Sequence, residues 1–152
     1  MRKKLTAYLL LLLMLCTAVF TGCGDISEPT AQTDSTASDV TITEDGWYST
    51  PEEVALYIHT YGELPDNFIT KKEAERLGWD SKKGNLWDVA EGMSIGGDHF
   101  GNYEGLLPEE DSYTECDVNY NGGYRGSERI IFSDDGDIYY TSDHYKSFEQ
   151  LY

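Results

Sequence analysis

The chain has 152 residues, 28 of them acidic and 11 basic, for a formal net charge of −17. From Gly46 onward the balance is 22 acidic to 8 basic, near −14, which excludes binding to nucleic acid by general electrostatic attraction. Any polyanionic substrate must be met by a local cluster of bases on an acidic body.

At the N-terminus, Arg2-Lys3-Lys4 precedes an apolar run from Leu9 to Cys16 that continues through Ala18-Val19-Phe20. A basic stretch followed by a short apolar one reads as an export signal, too short to favour a permanent transmembrane helix. It ends in Phe20-Thr21-Gly22-Cys23, which is similar to a bacterial lipobox, with Phe20 where leucine is usual. Residues 1–23 are therefore expected to be a signal peptide with Cys23 lipidated; the plainer alternative is cleavage nearby with Cys23 incidental. Either way the expected location is extracellular, secreted or held to the outer face of the cell membrane by the lipid alone. Cys16 falls in the leader, so Cys116 is the single cysteine of the remaining domain. One cysteine makes no internal disulfide, and no Cys/His spacing suggests a metal, so neither metal nor cofactor is expected.

Residues 24–45 are rich in Ser, Thr and Asp and read as a disordered tether. The segment 46–152 is the right size for one small domain, with aromatic residues as bulky core material. It opens on helices. Thr50-Pro51-Glu52-Glu53 combines an N-cap, a proline at the first helical position and a capping-box glutamate. Val54, Tyr57, Ile58 and Tyr61 then follow at helical spacing, and Gly62 supplies the stop. Thr70-Lys71-Lys72-Glu73 opens a second helix ending at Leu77-Gly78, and residues 85–90 suit a short third one. Ser94 to Pro108 is dense in glycine and reads as a loop interrupted by Phe100, with glycines where backbone can approach a ligand. It is not a phosphate loop, because the Lys and Ser/Thr of that motif are missing.

From Glu115 to Tyr145, three runs rich in Val, Ile, Tyr and Phe are separated by Asn-Gly and Asp-Gly turn signals. They predict an antiparallel meander. Helices segregated from strands argue for an α+β fold, N-terminal helices packed on a twisted antiparallel sheet. Along the meander lie Glu115, Arg125, Arg129 and His144: one carboxylate, two guanidiniums and one imidazole, the parts needed for proton transfer around a phosphate. Cys116, alternating with Glu115, is expected to face the core as inert packing.

Residues from about Thr50 to Tyr152 resemble the barnase family of bacterial guanyl-preferring ribonucleases. The resemblance rests on Leu64-Pro65-Asp66-Asn67-Phe68-Ile69-Thr70-Lys71, Leu77-Gly78-Trp79, Lys83-Gly84-Asn85-Leu86, Ser94-Ile95-Gly96-Gly97-Asp98 and Asp143-His144-Tyr145. It implies an endonuclease cleaving single-stranded RNA 3′ of guanosine through a 2′,3′-cyclic phosphate, without a metal. By the same resemblance Glu115 is the general base and His144 the general acid, with Lys71, Arg125 and Arg129 holding the phosphate. Gly101-Asn102-Tyr103-Glu104 would read the base, and Tyr145 or His144 would offer a ring for stacking.

Blander readings stand beside these. Glu115 can be an edge glutamate and Arg129 half of a strand-edge ion pair. His59 and His99 compete with His144 for the acid role, but His59 sits where it complements a helix dipole and both read as structural or exposed. Tyr103 stands where barnase has an arginine, which implies weaker attraction for RNA and altered docking to a barstar-type inhibitor. The expected chain is a monomer. The second reading is a ribonuclease-fold surface module that binds a partner with little or no turnover.

Overall fold

A computed structural model describes residues 40–109 and 112–152. The expected leader, Cys23 and most of the expected linker lie outside the described residues. Helix α1 (Pro51–Tyr61) starts where its capping box predicts: Thr50 Oγ1 accepts the Glu53 N–H, and the Glu53 carboxylate reaches back to Thr50. Gly62, at φ 76°, closes it. Strand β1 (Phe68–Ile69) leads into α2 (Lys71–Leu77), which repeats the same capping box with Thr70 and Glu73. The short α3 (Leu86–Val89) follows. Then come β2 (Ser94–Phe100), β3 (Tyr113–Asp117), β4 (Arg129–Ser133), β5 (Ile138–Thr141) and β6 (Glu149–Gln150).

The strands form one six-stranded sheet in the order β1-β2-β3-β4-β5-β6, with β1 parallel to β2 and every other pair antiparallel. The predicted α+β class and meander hold. Two expectations need correction. Residues 94–100, read as loop, form the strand joining the helical half of the domain to the meander. Gly96 is there for close packing: a Cβ on it would stand 2.7 Å from both the Cys116 Cβ and the Phe68 ring. The bulge between Gly96 and Asp98 is made at Gly97, φ 89°. The C-terminal end of the expected linker is also ordered, because the Thr43 N–H donates to the Tyr48 hydroxyl at 2.7 Å and Tyr57 donates to the Glu44 carbonyl at 2.8 Å.

Alternation along the strands sorts the sheet into two faces. On one, Cys116, Val118, Ile130 and Ile138 bury against Val54, Ala55 and Ile58 of α1. The Cys116 thiol is 1% exposed, and burial pushes its pKa up, so it packs as an inert apolar group as expected. Ala74, Trp79, Leu86, Ile95 and Tyr120 build a second cluster under α2 and α3. The other face carries Leu107, Tyr113, Ile131 and Tyr139, with Phe100, Tyr145 and Phe148 packed against them. Glu115 and Asp117 share this second face, opposite Ile131 and Arg129 in the register.

Because α2 presents Lys71 from its first turn, its N-cap matters to both stability and site geometry. Thr70→Ala is expected to cost about 1 kcal/mol, read as a lower urea midpoint at unchanged slope.

Candidate active site

Two rows of cross-strand partners organise the site. In one, Asp98 of β2 lies opposite Glu115 of β3; in the next, Asp117 of β3 lies opposite Arg129 of β4, which lies opposite Thr141 of β5. Each of these polar residues has a defined obligation.

Glu115 is 7% exposed yet has a donor at each oxygen: Lys71 Nζ at 2.6 Å from Oε1 and the Tyr145 hydroxyl at 2.6 Å from Oε2. Burial alone would raise its pKa, but the bonds from Lys71 and Tyr145, with the charges of Lys71 and Arg125, outweigh it and hold the carboxyl below its ordinary value. Glu115 is thus ionised at neutral pH. Tyr145, desolvated and donating to that carboxylate, is pushed up to about 12 and stays a donor. Lys71 is steered by its own backbone, whose N–H donates to Asp98 Oδ2 at 2.9 Å, fixing the start of α2 against β2.

Asp117, 2% exposed, takes both guanidiniums that the sequence singled out. Arg125 grips it with a fork, Nε and Nη2 each 2.6 Å from a carboxylate oxygen. Burial pulls the Arg125 pKa down and the bond and charge of Asp117 more than reverse it. Arg129 is 3% exposed; its Nε stands 2.9 Å from Asp117 Oδ1, off-line for a hydrogen bond, so that contact is charge on charge. Its Nη1 donates to the carbonyls of Gly126 and Glu128. The expected pair of phosphate forks is therefore a buried triad in which Arg125 is the more open partner and Arg129 lies beneath. Asp117 was assigned no role from the sequence; its spacing of two from Glu115, which puts both on one face of the strand, was the available signal.

His144 and Tyr145 sit in the loop after β5, both in the left-handed region, φ 59° and 69°. For a tyrosine that conformation is strained and must be imposed from outside. Asp143 imposes it: Oδ1 accepts from Thr141 Oγ1 and from the N–H groups of Lys146 and Ser147, each at 3.0 Å, and Oδ2 accepts from Ser147 Oγ at 2.7 Å. These bonds, the Ser147 hydroxyl foremost, lower its carboxyl to about 2. The Tyr145 N–H adds a bond to Thr141 Oγ1 at 3.1 Å. Asp143 is a second positioning residue that the sequence motif contained without revealing its work. His144 remains exposed, its ring 4.7 Å from that of Tyr145.

A cleft of about 710 Å³ joins these parts to the loop after β2. Glu115, His144 and Tyr145 line it together with Gly101, Tyr103 and Glu104. Phe100, whose ring stacks on Tyr145 at 5.2 Å, lines it as well. The sequence offered Tyr145 as a free stacking ring; its face is partly taken by Phe100 and its hydroxyl by Glu115. Asn102 differs more from expectation. Its side chain accepts the Leu107 N–H at 3.1 Å and donates to the Leu107 carbonyl at 2.9 Å, so it closes the loop on itself and leaves ligand contacts to the loop backbone and Glu104. His99 borders the cleft, but its register with Thr114 puts its side chain on the face opposite Phe100 and Glu115. His59 stacks on Tyr152 at 4.2 Å, away from the site. Among the described residues no group of His, Cys, Asp and Glu is arranged to hold a metal ion.

A family model described as ribonuclease matches residues 51–152. The chain is similar to a ribonuclease of Heyndrickxia coagulans, 49% identical over 105 residues, covering 68% of this chain and 96% of that one. A ribonuclease of Bacillus pumilus is 46% identical over 129 residues, covering 81% of this chain and 78% of the relative. The guanyl-specific ribonuclease St of Saccharopolyspora erythraea is 44% identical over 52 residues, 32% of this chain and 52% of its own.

Two outcomes follow from the geometry. Asp117→Asn leaves two desolvated guanidiniums without a counter-charge and is expected to cost about 3–5 kcal/mol in denaturant unfolding. Tyr145→Phe removes one donor from Glu115, so its carboxyl titrates at higher pH in a carbon-13 NMR titration. A carboxyl held low in the folded state stabilises above its unfolded value, near pH 4, and that stability is lost as pH falls through the folded value. The Phe variant is expected to lose it at higher pH than the parent.

Proposed function

The chain belongs to the ribonuclease family and is an RNA-cleaving enzyme, and from that premise we propose that it is a guanyl-preferring endoribonuclease working through a 2′,3′-cyclic phosphate. The observation that carries this reading is Glu115, a carboxylate held ionised between Lys71 and Tyr145 on the wall of a cleft that His144 also lines.

In the first step Glu115 takes the proton of the ribose 2′-hydroxyl, and the 2′-oxygen forms a bond to phosphorus. The bond from phosphorus to the 5′-oxygen of the next nucleotide breaks, and His144 gives that oxygen its proton. Opening the cyclic phosphate runs the roles in reverse: His144 takes a proton from water, and Glu115 returns one to the 2′-oxygen. Lys71 and Arg125 face the phosphate and stabilise the charge that builds on its oxygens, while Arg129 adds positive potential from below. The guanine base enters the cleft against Phe100, with backbone N–H groups of residues 101–104 toward its O6 and Glu104 accepting from N1–H and the amine. This assignment needs no metal. Export of the protein, and its anchoring through Cys23, follow from the leader and belong to the same proposal, as does inhibition by a barstar-type protein.

Glu115→Ala and His144→Ala are each expected to lower kcat on a guanosine-containing RNA by about 10²–10⁴-fold with EDTA present, the fold structure unchanged by circular dichroism. Glu104→Gln is expected to narrow the preference for guanosine over adenosine dinucleotides. Full activity in the Glu115 and His144 variants would remove this mechanism.

A further inference from the structure

A second concavity, of about 270 Å³, shares no lining residue with the cleft at Glu115. It gathers aromatic side chains from three parts of the chain. Trp47 and Tyr48 come from the segment before α1, Trp87 from α3 and Tyr120 from the loop after β3. Each is held in place. The Trp47 ring rests on Gly92, where a Cβ would stand 2.8 Å from Cζ3, yet the residue stays 59% exposed. Trp87 lies as closely against Gly122 and donates its indole N–H to the Met93 carbonyl at 2.9 Å. Its ring meets that of Tyr120 edge-on at 5.6 Å, and the Tyr120 hydroxyl donates to the Gly123 carbonyl at 2.9 Å. Tyr48 is tied by its backbone to Asn67, which accepts its N–H at 3.2 Å and donates to its carbonyl at 2.9 Å. Rings fixed this way lose little freedom when a guest arrives.

We propose that this concavity binds a small quaternary ammonium compound of the choline type. Size sets the first limit, since pockets for drug-sized ligands hold roughly 300–1,000 Å³. Chemistry sets the second. The donors of the lining are largely spent within the fold: the Asn67 amide on Tyr48, the Trp87 N–H on Met93, the Tyr120 hydroxyl on Gly123. An anion, or a saccharide rich in acceptors, therefore finds few partners. What remains is ring surface and negative charge. Glu53 binds Thr50 through Oε2, and among the described residues nothing bonds its Oε1. No lining residue is basic, and the stretches 47–53 and 87–94 add Glu52, Asp88 and Glu91 without any Lys, Arg or His. A cation over aromatic faces is drawn by their quadrupoles, most strongly by Trp. A trimethylammonium head suits the site better than a primary ammonium, because it brings no N–H donors that each need an acceptor. The acidic body favours the free cation over a form that carries a phosphate.

This site is independent of the ribonuclease reading, and its test needs no turnover. Choline chloride is titrated into the protein while the indole N–H signals are followed by NMR, with sodium chloride at matched ionic strength as reference. Saturation with a Kd on the order of 1 mM is expected. The Trp47 and Trp87 signals should move, and that of Trp79, buried in the core, should not. The uncharged isostere of choline, with carbon in place of nitrogen, is expected to bind roughly tenfold more weakly, and phosphocholine roughly threefold. Trp47→Leu is expected to weaken choline roughly fivefold with circular dichroism and RNA cleavage unchanged. Glu53→Gln, whose amide oxygen still serves the capping box, is expected to weaken it roughly threefold. Choline acting no differently from sodium chloride, an isostere that binds as tightly, or full affinity in Trp47→Leu would overturn the site. Phosphocholine binding as tightly as choline would overturn the assignment to the free cation.

Discussion

A buried carboxylate, Asp117, determines how positive charge is arranged in this protein. Two guanidiniums converge on it from different elements, Arg129 across the ladder from β4 and Arg125 from the long β3–β4 loop. Neither could be desolvated beside the other without a counter-ion, since two like charges at that separation repel strongly in a low dielectric. With Asp117 between them, the triad keeps one net positive charge close beneath the sheet surface. The loop from 118 to 128 is tied down in the process, so Arg125 is presented at the site by an ion pair as much as by backbone structure.

The same logic recurs at each position of the proposed catalytic set. Lys71 is aimed by a helix start whose first N–H is taken by Asp98, and Glu115 is aimed by Lys71 and Tyr145. Tyr145 and His144 are held in strained backbone by Asp143 and Thr141. Three aspartates, at 98, 117 and 143, thus fix the residues to which the proposed mechanism gives chemistry. Preorganisation of this kind leaves little reorganisation for a reaction at the site.

The acidity of the body has a consequence for binding. Within the site most positive charge is paired, Lys71 with Glu115 and the two arginines with Asp117, leaving one net positive charge on an acidic body. On such a body rings at the cleft can contribute where charge contributes little: Phe100 lines it and Tyr103, also lining it, is 94% exposed. Stacking depends weakly on salt.

The two capping boxes, the antiparallel meander and the α+β class were legible in residue order, because capping and alternation are local rules that tertiary packing here did not override. Strand β2 was not, since its glycines signal a loop by propensity, whereas Gly96 is demanded by the closeness of Cys116 and Phe68 and Gly97 by the bulge. Candidate residues were likewise readable by type and motif: Glu115, His144, Lys71 and the two arginines. Their working relations were not, as an ion pair between residues 44 apart, such as Lys71 and Glu115, leaves no mark in either local stretch. The sequence by itself determined which groups are present and which face of a strand each occupies. The tertiary structure alone decided that Asp117 claims both arginines, that Asn102 braces its own loop, and that Glu115 is ionised despite burial. Each of these depends on which charge or donor lies within about 3 Å, a distance that only the folded chain defines.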